Sequence, residues 1–245
     1  GYYYGRNVTL GHRRLSIIDL NSGHQPIHNE DENIWVVYNG EIYNYLTLKT
    51  DLEKKGHTFY TSTDTEVLVH LYEDFGISLS NELDGMFSFA IWDDEKHKLI
   101  LSRDRIGKKP LYYSITDNKF LFASEIKAIL EYENIDRKLN YNTLSHFLTY
   151  RSTPNSETLF DGIKKVPPGS ILIFDRRTNR INISKYYDLN LNDNSSSSEE
   201  EIIDMMRDVL TESVKKRLMS DVPLGAYLSG GIDSSTIVAI ASNLY

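Results

Sequence analysis

Ile34-Trp35-Val36-Val37-Tyr38-Asn39-Gly40-Glu41-Ile42-Tyr43-Asn44 opens as a β-branched and aromatic run, the composition of a strand over Ile34–Tyr38. It leads into a helical pattern over Tyr43–Lys55, closed by Gly56. The centre, Asn39-Gly40-Glu41, has two readings. Asn-Gly is the favoured two-residue turn of a β-hairpin. The residues that follow lead into a helix rather than a pairing strand, so a side-chain amide beside a glycine N–H at a strand end also offers the two preorganised donors of an oxyanion hole.

Outward from this stretch, Met86–Trp92 and Lys98–Leu101 have strand composition and are separated by the hairpin turn Asp93-Asp94-Glu95-Lys96. A second helix is expected over Thr65–Phe75, closed by Gly76, with Thr63 and Glu66 at the spacing of a capping box. Leu111–Ser114, Lys119–Ala123, Ser170–Phe174 and Arg180–Ile183 add strands, the last two joined by a charged turn at Asp175–Asn179. This is a strand-rich α+β region. The serine tract Ser195–Ser198 then marks a linker. Beyond it Ile202, Ile203, Met206, Val209, Leu210, Val214 and Leu218 recur at helical spacing, from an acidic start to a basic end. Pro223, a short strand over Gly225–Leu228, a glycine turn and a helix from Ser234 form the opening of a parallel α/β unit.

Three clusters carry chemistry. Ser229-Gly230-Gly231-Ile232-Asp233-Ser234-Ser235 combines adjacent glycines, hydroxyls and a helix start, a concave set of donors suited to an anion such as pyrophosphate. It lacks the Gly-Lys-Ser/Thr of a Walker A loop. A turn with Asp233 or Ser234 as helix N-cap is the alternative that needs no ligand. Gly11-His12-Arg13-Arg14-Leu15-Ser16-Ile17-Ile18-Asp19 sets basic residues before an apolar run, and Asp64 sits at a helix start. An Arg and an Asp brought together would clamp the α-carboxylate and α-ammonium of an amino acid; an exposed ion pair plus an N-cap is the alternative.

Composition narrows the field. Of 245 residues 40% are hydrophobic and 25% charged, which places the chain among globular proteins. A net charge of −8 gives no whole-chain attraction to nucleic acid or an anionic membrane, so any bound anion must be held locally. No apolar run approaches membrane-span length. There are no cysteines, which excludes a disulfide scaffold, a thiolate metal site and a cysteine nucleophile within the chain. The seven histidines show no metal-ligand spacing, and Pro26 breaks the relation of His24 to His28. Arg103-Asp104-Arg105 is expected to be structural, an ion-pair network or a domain-contact element, rather than catalytic. The start lacks Met and the last helical pattern has no terminator, so both edges are expected to be cuts from a longer chain.

Together, Gly11–Asp19, Asn39–Asn44, Ser62–Glu66, Leu83–Phe89, Ser102–Tyr113, Ala123–Leu130 and Pro167-Pro168-Gly169 resemble the glutaminase half of glutamine-hydrolysing asparagine synthetases. Met219–Pro223 followed by Ser229–Ser235 resembles the opening of their synthetase half. The resemblance implies an α+β N-terminal-nucleophile glutaminase fold, layered antiparallel sheets with helices, over residues 1–188. A polar linker over 189–200 and the start of an α/β parallel-sheet, adenine-nucleotide hydrolase-like domain over 201–245 follow.

By the same resemblance an N-terminal cysteine, absent here, attacks the glutamine side-chain amide and releases ammonia. Arg14 would hold the glutamine α-carboxylate, Leu15, Ser16, Ile17 and Ile18 would line the pocket, and Glu41 and Asp64 would bind the α-ammonium. The Asn39 side chain and Gly40 N–H would stabilise the oxyanion. In the second half, ATP with Mg²⁺ activates aspartate as an aspartyl-AMP, which ammonia captures. Ser229, Gly230, Gly231, Ile232, Asp233, Ser234 and Ser235 would hold pyrophosphate, Asp233 through Mg²⁺, with the Leu228 backbone at the adenosine. The partners implied are glutamine, aspartate and ATP, with no nucleic acid and no membrane, in a cytoplasmic enzyme compatible with a homodimer. An amidotransferase of the same architecture acting on a sugar acid, and an inactive glutamine-binding module, are the alternatives.

Overall fold

The computed structural model describes residues 1–13, 19, 22–117, 119–189, 191 and 197–245. These fall into two compact units, the larger within Gly1–Arg14 and His24–Asp188 and the smaller within Leu15–Gly23 and Leu189–Tyr245.

The larger unit runs β1 (Tyr2–Tyr4), β2 (Thr9–Gly11), β3 (Ile27–His28), β4 (Ile34–Ile42), α1 (Tyr45–Lys54), α2 (Val67–Phe75), β5 (Gly85–Asp93), β6 (Lys98–Arg103), β7 (Tyr112–Thr116), β8 (Lys119–Ala123), α3 (Ile126–Leu130), α4 (Tyr141–Tyr150), β9 (Ile163–Lys165), β10 (Ser170–Asp175) and β11 (Arg180–Lys185). A six-stranded sheet has the order β11-β10-β6-β5-β4-β3, a three-stranded sheet the order β8-β7-β9, and β1 pairs with β2. Every strand pair is antiparallel.

The middle strand β5 is buried from Phe87 to Asp93, because the six-stranded sheet is covered on both faces. Val37, Ala90, Trp92, Leu101 and Leu172 share one buried cluster with Tyr113 of the three-stranded sheet. Phe120 of β8 bridges the two sheets, stacking on Phe174 at 4.8 Å and on Tyr113 at 5.8 Å between ring centroids. Val36, Tyr38, Phe89 and Ile91 alternate onto the other face, and α2 packs against β4. A strand with apolar neighbours above and below has no polar face to alternate, which is why Met86–Trp92 shows composition but no period of two.

The structure corrects several expectations. Asn39-Gly40 is not a hairpin turn: β4 continues through both to Ile42, with Asn39 opposite Ser88 and Gly40 opposite Phe87. The glycine is needed for close approach rather than for a turn. A Cβ at Gly40 would lie 2.2 Å from Met86 O, and one at Gly85 would lie 2.2 Å from Glu41 O. The capping box at Thr63 and Glu66 does not form, since α2 has no side-chain cap and Glu66 instead accepts from the N–H groups of Tyr60 (2.8 Å) and Thr61 (2.7 Å). Arg103-Asp104-Arg105 is structural, but through hydrogen bonds to backbone rather than through ion pairs. Asp104 accepts from Phe87, Lys108 and Lys109 N–H, and Arg103 donates to the carbonyls of Gly107, Lys109 and Val166.

The smaller unit contains α5 (Glu199–Lys216) and α6 (Ile232–Leu244). Ser198 and Glu201 form the capping box of α5, and its first turn is acidic and its last basic, as the helix dipole favours. Asp221 accepts from Asp19 N–H at 2.9 Å. The short strand expected over Gly225–Leu228 is absent; a strand exists only when a neighbour supplies its ladder, and no described residue pairs there. The last helix begins at Ile232, not Ser234, and its N-cap is Gly231 rather than Asp233 or Ser234.

The β4–β5 contact can be tested directly. Gly85→Ala forces a methyl group against the Glu41 carbonyl and is expected to cost about 1–3 kcal/mol of stability, read as a lowered urea-unfolding midpoint. An unchanged midpoint would show that the two strands do not approach as described.

Candidate functional site

The outer edge of β4 carries the first site. In an antiparallel strand N–H groups alternate between the two neighbours, and β3 reaches only as far as Val36. Past that point the outward N–H groups must find other acceptors. Tyr38 N–H donates to the Gln25 side-chain oxygen at 2.6 Å, and Ile42 N–H donates to Asp64 Oδ2 at 3.0 Å. Gly40 lies between them on the same alternation, so its N–H points to the same edge and takes no part in the ladder to β5. Asp64 is 3% exposed and also accepts from the Tyr38 hydroxyl at 3.1 Å and from Thr63 Oγ1 at 3.2 Å. Burial and the adjacent Asp64 push the Tyr38 phenol well above its ordinary pKa, which keeps it a neutral donor.

Asp64 and Gly40 are thus brought to one strand edge. Asn39 and Glu41 lie in the same strand and are half-buried. Arg14, Leu15, Ser16, Ile17 and Ile18 lie outside the described residues. Asn44, quoted above only as part of a motif, is an anchor: its amide donates to Glu82 O at 2.9 Å and its oxygen accepts from Asp84 N–H at 3.0 Å. That pair ties the end of β4 to the segment entering β5.

Behind Asp64, Glu66 and His70 are both fully buried. Burial raises a carboxyl pKa, but His70 and the Thr61 and Tyr60 donors hold Glu66 below its ordinary value. His70 Nδ1 is 3.1 Å from Glu73 Oε2 and 3.5 Å from Glu30 Oε2, while Nε2 is 3.7 Å from Glu66 Oε1. Burial alone disfavours the imidazolium, yet these three carboxylates raise its pKa to about 9. His57 Nδ1 stands 3.4 Å from Glu73 Oε2 and its Nε2 3.1 Å from Asp74 Oδ1. Sequence spacing missed this cluster because it draws on three separate segments; the local signal was only His70 and Glu73, one turn apart on α2.

In the smaller unit, Ser229–Gly231 is an exposed turn that leads into the first turn of α6, Ile232–Ser235. Gly230 takes φ = 80°, a conformation that favours glycine, and nothing lies within 4 Å of the position its Cβ would occupy. Ser229 Oγ and Ser234 Oγ are 3.0 Å apart, and Ser234 Oγ donates to Gly231 O at 3.1 Å. No side chain caps the helix, so its first N–H groups are not claimed by a capping oxygen. That is the donor set a phosphate group requires. Asp233 lies in the first helical turn, and Leu228 is exposed beside the loop.

Residues 1–187 match the family of glutamine amidotransferase domains, and residues 205–245 match asparagine synthase. The chain belongs to the glutamine amidotransferase family. Within it, the chain is 40% identical over its whole length to glutamine-hydrolysing asparagine synthetase 1 of Bacillus subtilis (strain 168), of which it covers 38%. It is 41% identical over 97% of its length to amidase chry2 of Gibberella zeae, covering 35% of that protein. Among solved structures it is similar to a glutamine phosphoribosylpyrophosphate amidotransferase from B. subtilis, at 20% identity and a TM-score of 0.46 over 90% of this chain and 47% of that one. The chain thus spans about two fifths of the length of these asparagine synthetase and amidase relatives. No helix among the described residues is long and apolar enough to cross a membrane.

His70 gives the site a defined pH dependence. Its pKa is raised in the folded state, so its contribution is full below the ordinary value of 6.5 and is lost as pH rises through about 9. In chelator-treated protein the unfolding free energy in urea is expected to fall by about 2 kcal/mol between pH 7 and 9.5, and His70→Gln should remove that slope. A slope that survives His70→Gln would assign it to other groups.

Proposed function

We propose that residues 1–188 are a glutaminase domain, 189–200 a linker and 201–245 the opening of an ATP-dependent synthetase domain, in an enzyme that transfers glutamine nitrogen to aspartate. The carrying observation is the outward Gly40 N–H, set between the N–H groups that Gln25 and Asp64 accept, at an edge of β4 that no strand among the described residues covers. The Gly40 N–H and the Asn39 amide stabilise the oxyanion formed when the glutamine carboxamide is attacked; Asp64 with Glu41 binds the α-ammonium, and Arg14, flanked by Leu15 to Ile18, binds the α-carboxylate. The fold around this edge is of the N-terminal-nucleophile kind, in which the attacking group is a cysteine thiolate. The 245 residues contain no cysteine, so the chain by itself has no nucleophile for this reaction and no glutaminase turnover is expected of it.

The loop Ser229–Ser235 suits a pyrophosphate group: an open glycine at positive φ, two hydroxyls and a helix start free of a side-chain cap favour several N–H donors on one anion. ATP would supply activation of the acceptor carboxyl. Asp233 would approach its phosphates through Mg²⁺, and the backbone at Leu228 would meet the adenosine. Glutamine, aspartate and ATP are metabolites of the cytoplasm, where this reading places the enzyme.

A second reading concerns the acceptor alone. Amidase chry2, at 41% identity, is as similar to this chain as the asparagine synthetase at 40%, which supports equally an amidotransferase of the same architecture with another acceptor, such as a sugar acid.

In the whole gene product, Asn39→Ala is expected to lower glutamine-dependent turnover by roughly 100–1,000-fold, the usual cost of one oxyanion donor, while synthesis from added ammonia persists. Equal loss of both activities would remove Asn39 from the oxyanion role. Asp233→Ala is expected to abolish ATP-dependent product formation and leave glutamine hydrolysis measurable, assayed as pyrophosphate and glutamate release respectively. Normal pyrophosphate release from that variant would take the loop out of nucleotide binding.

A further inference from the structure

We infer that Glu30, His57, His70 and Glu73 form a binding site for one divalent transition-metal ion of the zinc class, beside the turn that enters β4. One ligand atom from each of the four lies within 4.8 Å of all the others. Three of the separations are already those of a coordination shell. A tetrahedral ion with bonds of about 2.0–2.2 Å sets its ligand atoms roughly 3.4 Å apart. His70 Nδ1 is 3.1 Å from Glu73 Oε2 and 3.5 Å from Glu30 Oε2, and His57 Nδ1 is 3.4 Å from Glu73 Oε2. The remaining sides, His57 to His70 among them, lie within 4.8 Å, and closing them takes side-chain movement at the exposed Glu30 and Glu73 and at the half-buried His57.

Three of the four ligands have an outer partner in hydrogen-bond contact, and the fourth, His70, faces a carboxylate. His57 Nε2 faces Asp74 Oδ1 at 3.1 Å, and Asp74 is fixed in turn by Lys55 at 2.7 Å. His70 Nε2 has no hydrogen-bond partner in the structure and faces the buried Glu66 carboxylate at 3.7 Å. Binding an ion at Nδ1 places the ring proton on Nε2 in both rings, directed at a carboxylate, the arrangement that orients histidine ligands in metal sites. The free oxygens of the two glutamates are held as well: Glu30 Oε1 accepts from Thr58 N–H and Glu73 Oε1 from Asn29 Nδ2, each at 2.8 Å. Two imidazoles and two carboxylates select zinc-like ions over calcium or magnesium, which prefer all-oxygen shells. Four protein ligands describe a closed, structural site. Such an ion would join the turn before β4, the segment after α1 and helix α2.

The test uses the tag-free 245-residue chain, stripped with chelator, dialysed against Zn²⁺ and assayed for bound metal by mass spectrometry, with folding followed by circular dichroism. One zinc per chain is expected, together with the visible absorption bands of a tetrahedral ion on replacement by Co²⁺, and excess Mg²⁺ should not displace it. His57→Ala and Glu73→Gln, chosen because both side chains reach the surface and spare the buried His70, should each weaken binding by more than the roughly 10–100-fold that loss of an outer partner costs. Asp74→Asn should fall within that range. Zinc should raise the melting temperature of the wild type but not of His57→Ala. No retained zinc, or zinc retained equally by the folded variants, would overturn the site, whatever becomes of the glutaminase assignment.

Discussion

A carboxylate taken out of water must be met by donors, and Asp64 is met by donors from the strand it faces. The Tyr38 hydroxyl and the Ile42 N–H both point to it, so one side chain joins the lead-in of α2 to the open edge of β4. Two effects follow from the same contact. The lead-in of α2 is fixed to the sheet, and β4 runs on past Val36 to Ile42 although no strand among the described residues pairs with that edge. Gln25 makes the matching contact at Tyr38 N–H. An edge that no described strand covers, whose flanking N–H groups are claimed by the Gln25 and Asp64 side chains with Gly40 between, has the geometry of a preorganised donor for a developing negative charge.

How far this was legible depends on how local each signal is. The runs Met86–Trp92, Lys98–Leu101, Ser170–Phe174 and Arg180–Ile183 are strands in the structure, because composition and turn residues decide them within a few positions. Asn39-Gly40 misled in one of its readings because the hairpin preference of Asn-Gly is local, whereas the strand that keeps the pair extended is β5, far along the chain. The glycine was visible; the carbonyl of Met86 that requires it was not. Thr63 and Glu66 had the capping-box spacing, but Glu66 reaches back to Tyr60 and Thr61, while Ser198 and Glu201, at the same spacing beside a solvated helix, do form one. The difference is burial. At an exposed helix start the cap has no competitor, and in the core other donors outbid it.

The smaller unit shows the complementary limit. Its helices were legible because helical hydrogen bonds close within the segment, and both α5 and α6 are present. The strand expected over Gly225–Leu228 needs a partner's ladder and is not formed. Leu224, Tyr227 and Leu228 are exposed, in keeping with a parallel strand's need for cover on both faces. The glycine loop does not share that need. Its geometry comes from Gly230 and from the N-terminus of α6, so the loop keeps its shape without a paired strand before it.

The open edge of β4 couples packing to donor geometry at a single residue. Gly40 is required by Met86 O and Phe87 Cα, which leave no room for a Cβ, and the same residue supplies the outward N–H. A substitution at Gly40 therefore moves the strand and removes the donor geometry together, and cannot separate them. Asn39 and Gly85 can. Asn39 offers a side-chain amide from a half-buried position, while Gly85 repeats the backbone approach without touching the edge. If the close approach of β4 to β5 exists to position the Gly40 N–H, loosening it at Gly85 should reach turnover as well as stability, whereas loss of the Asn39 amide should reach turnover alone.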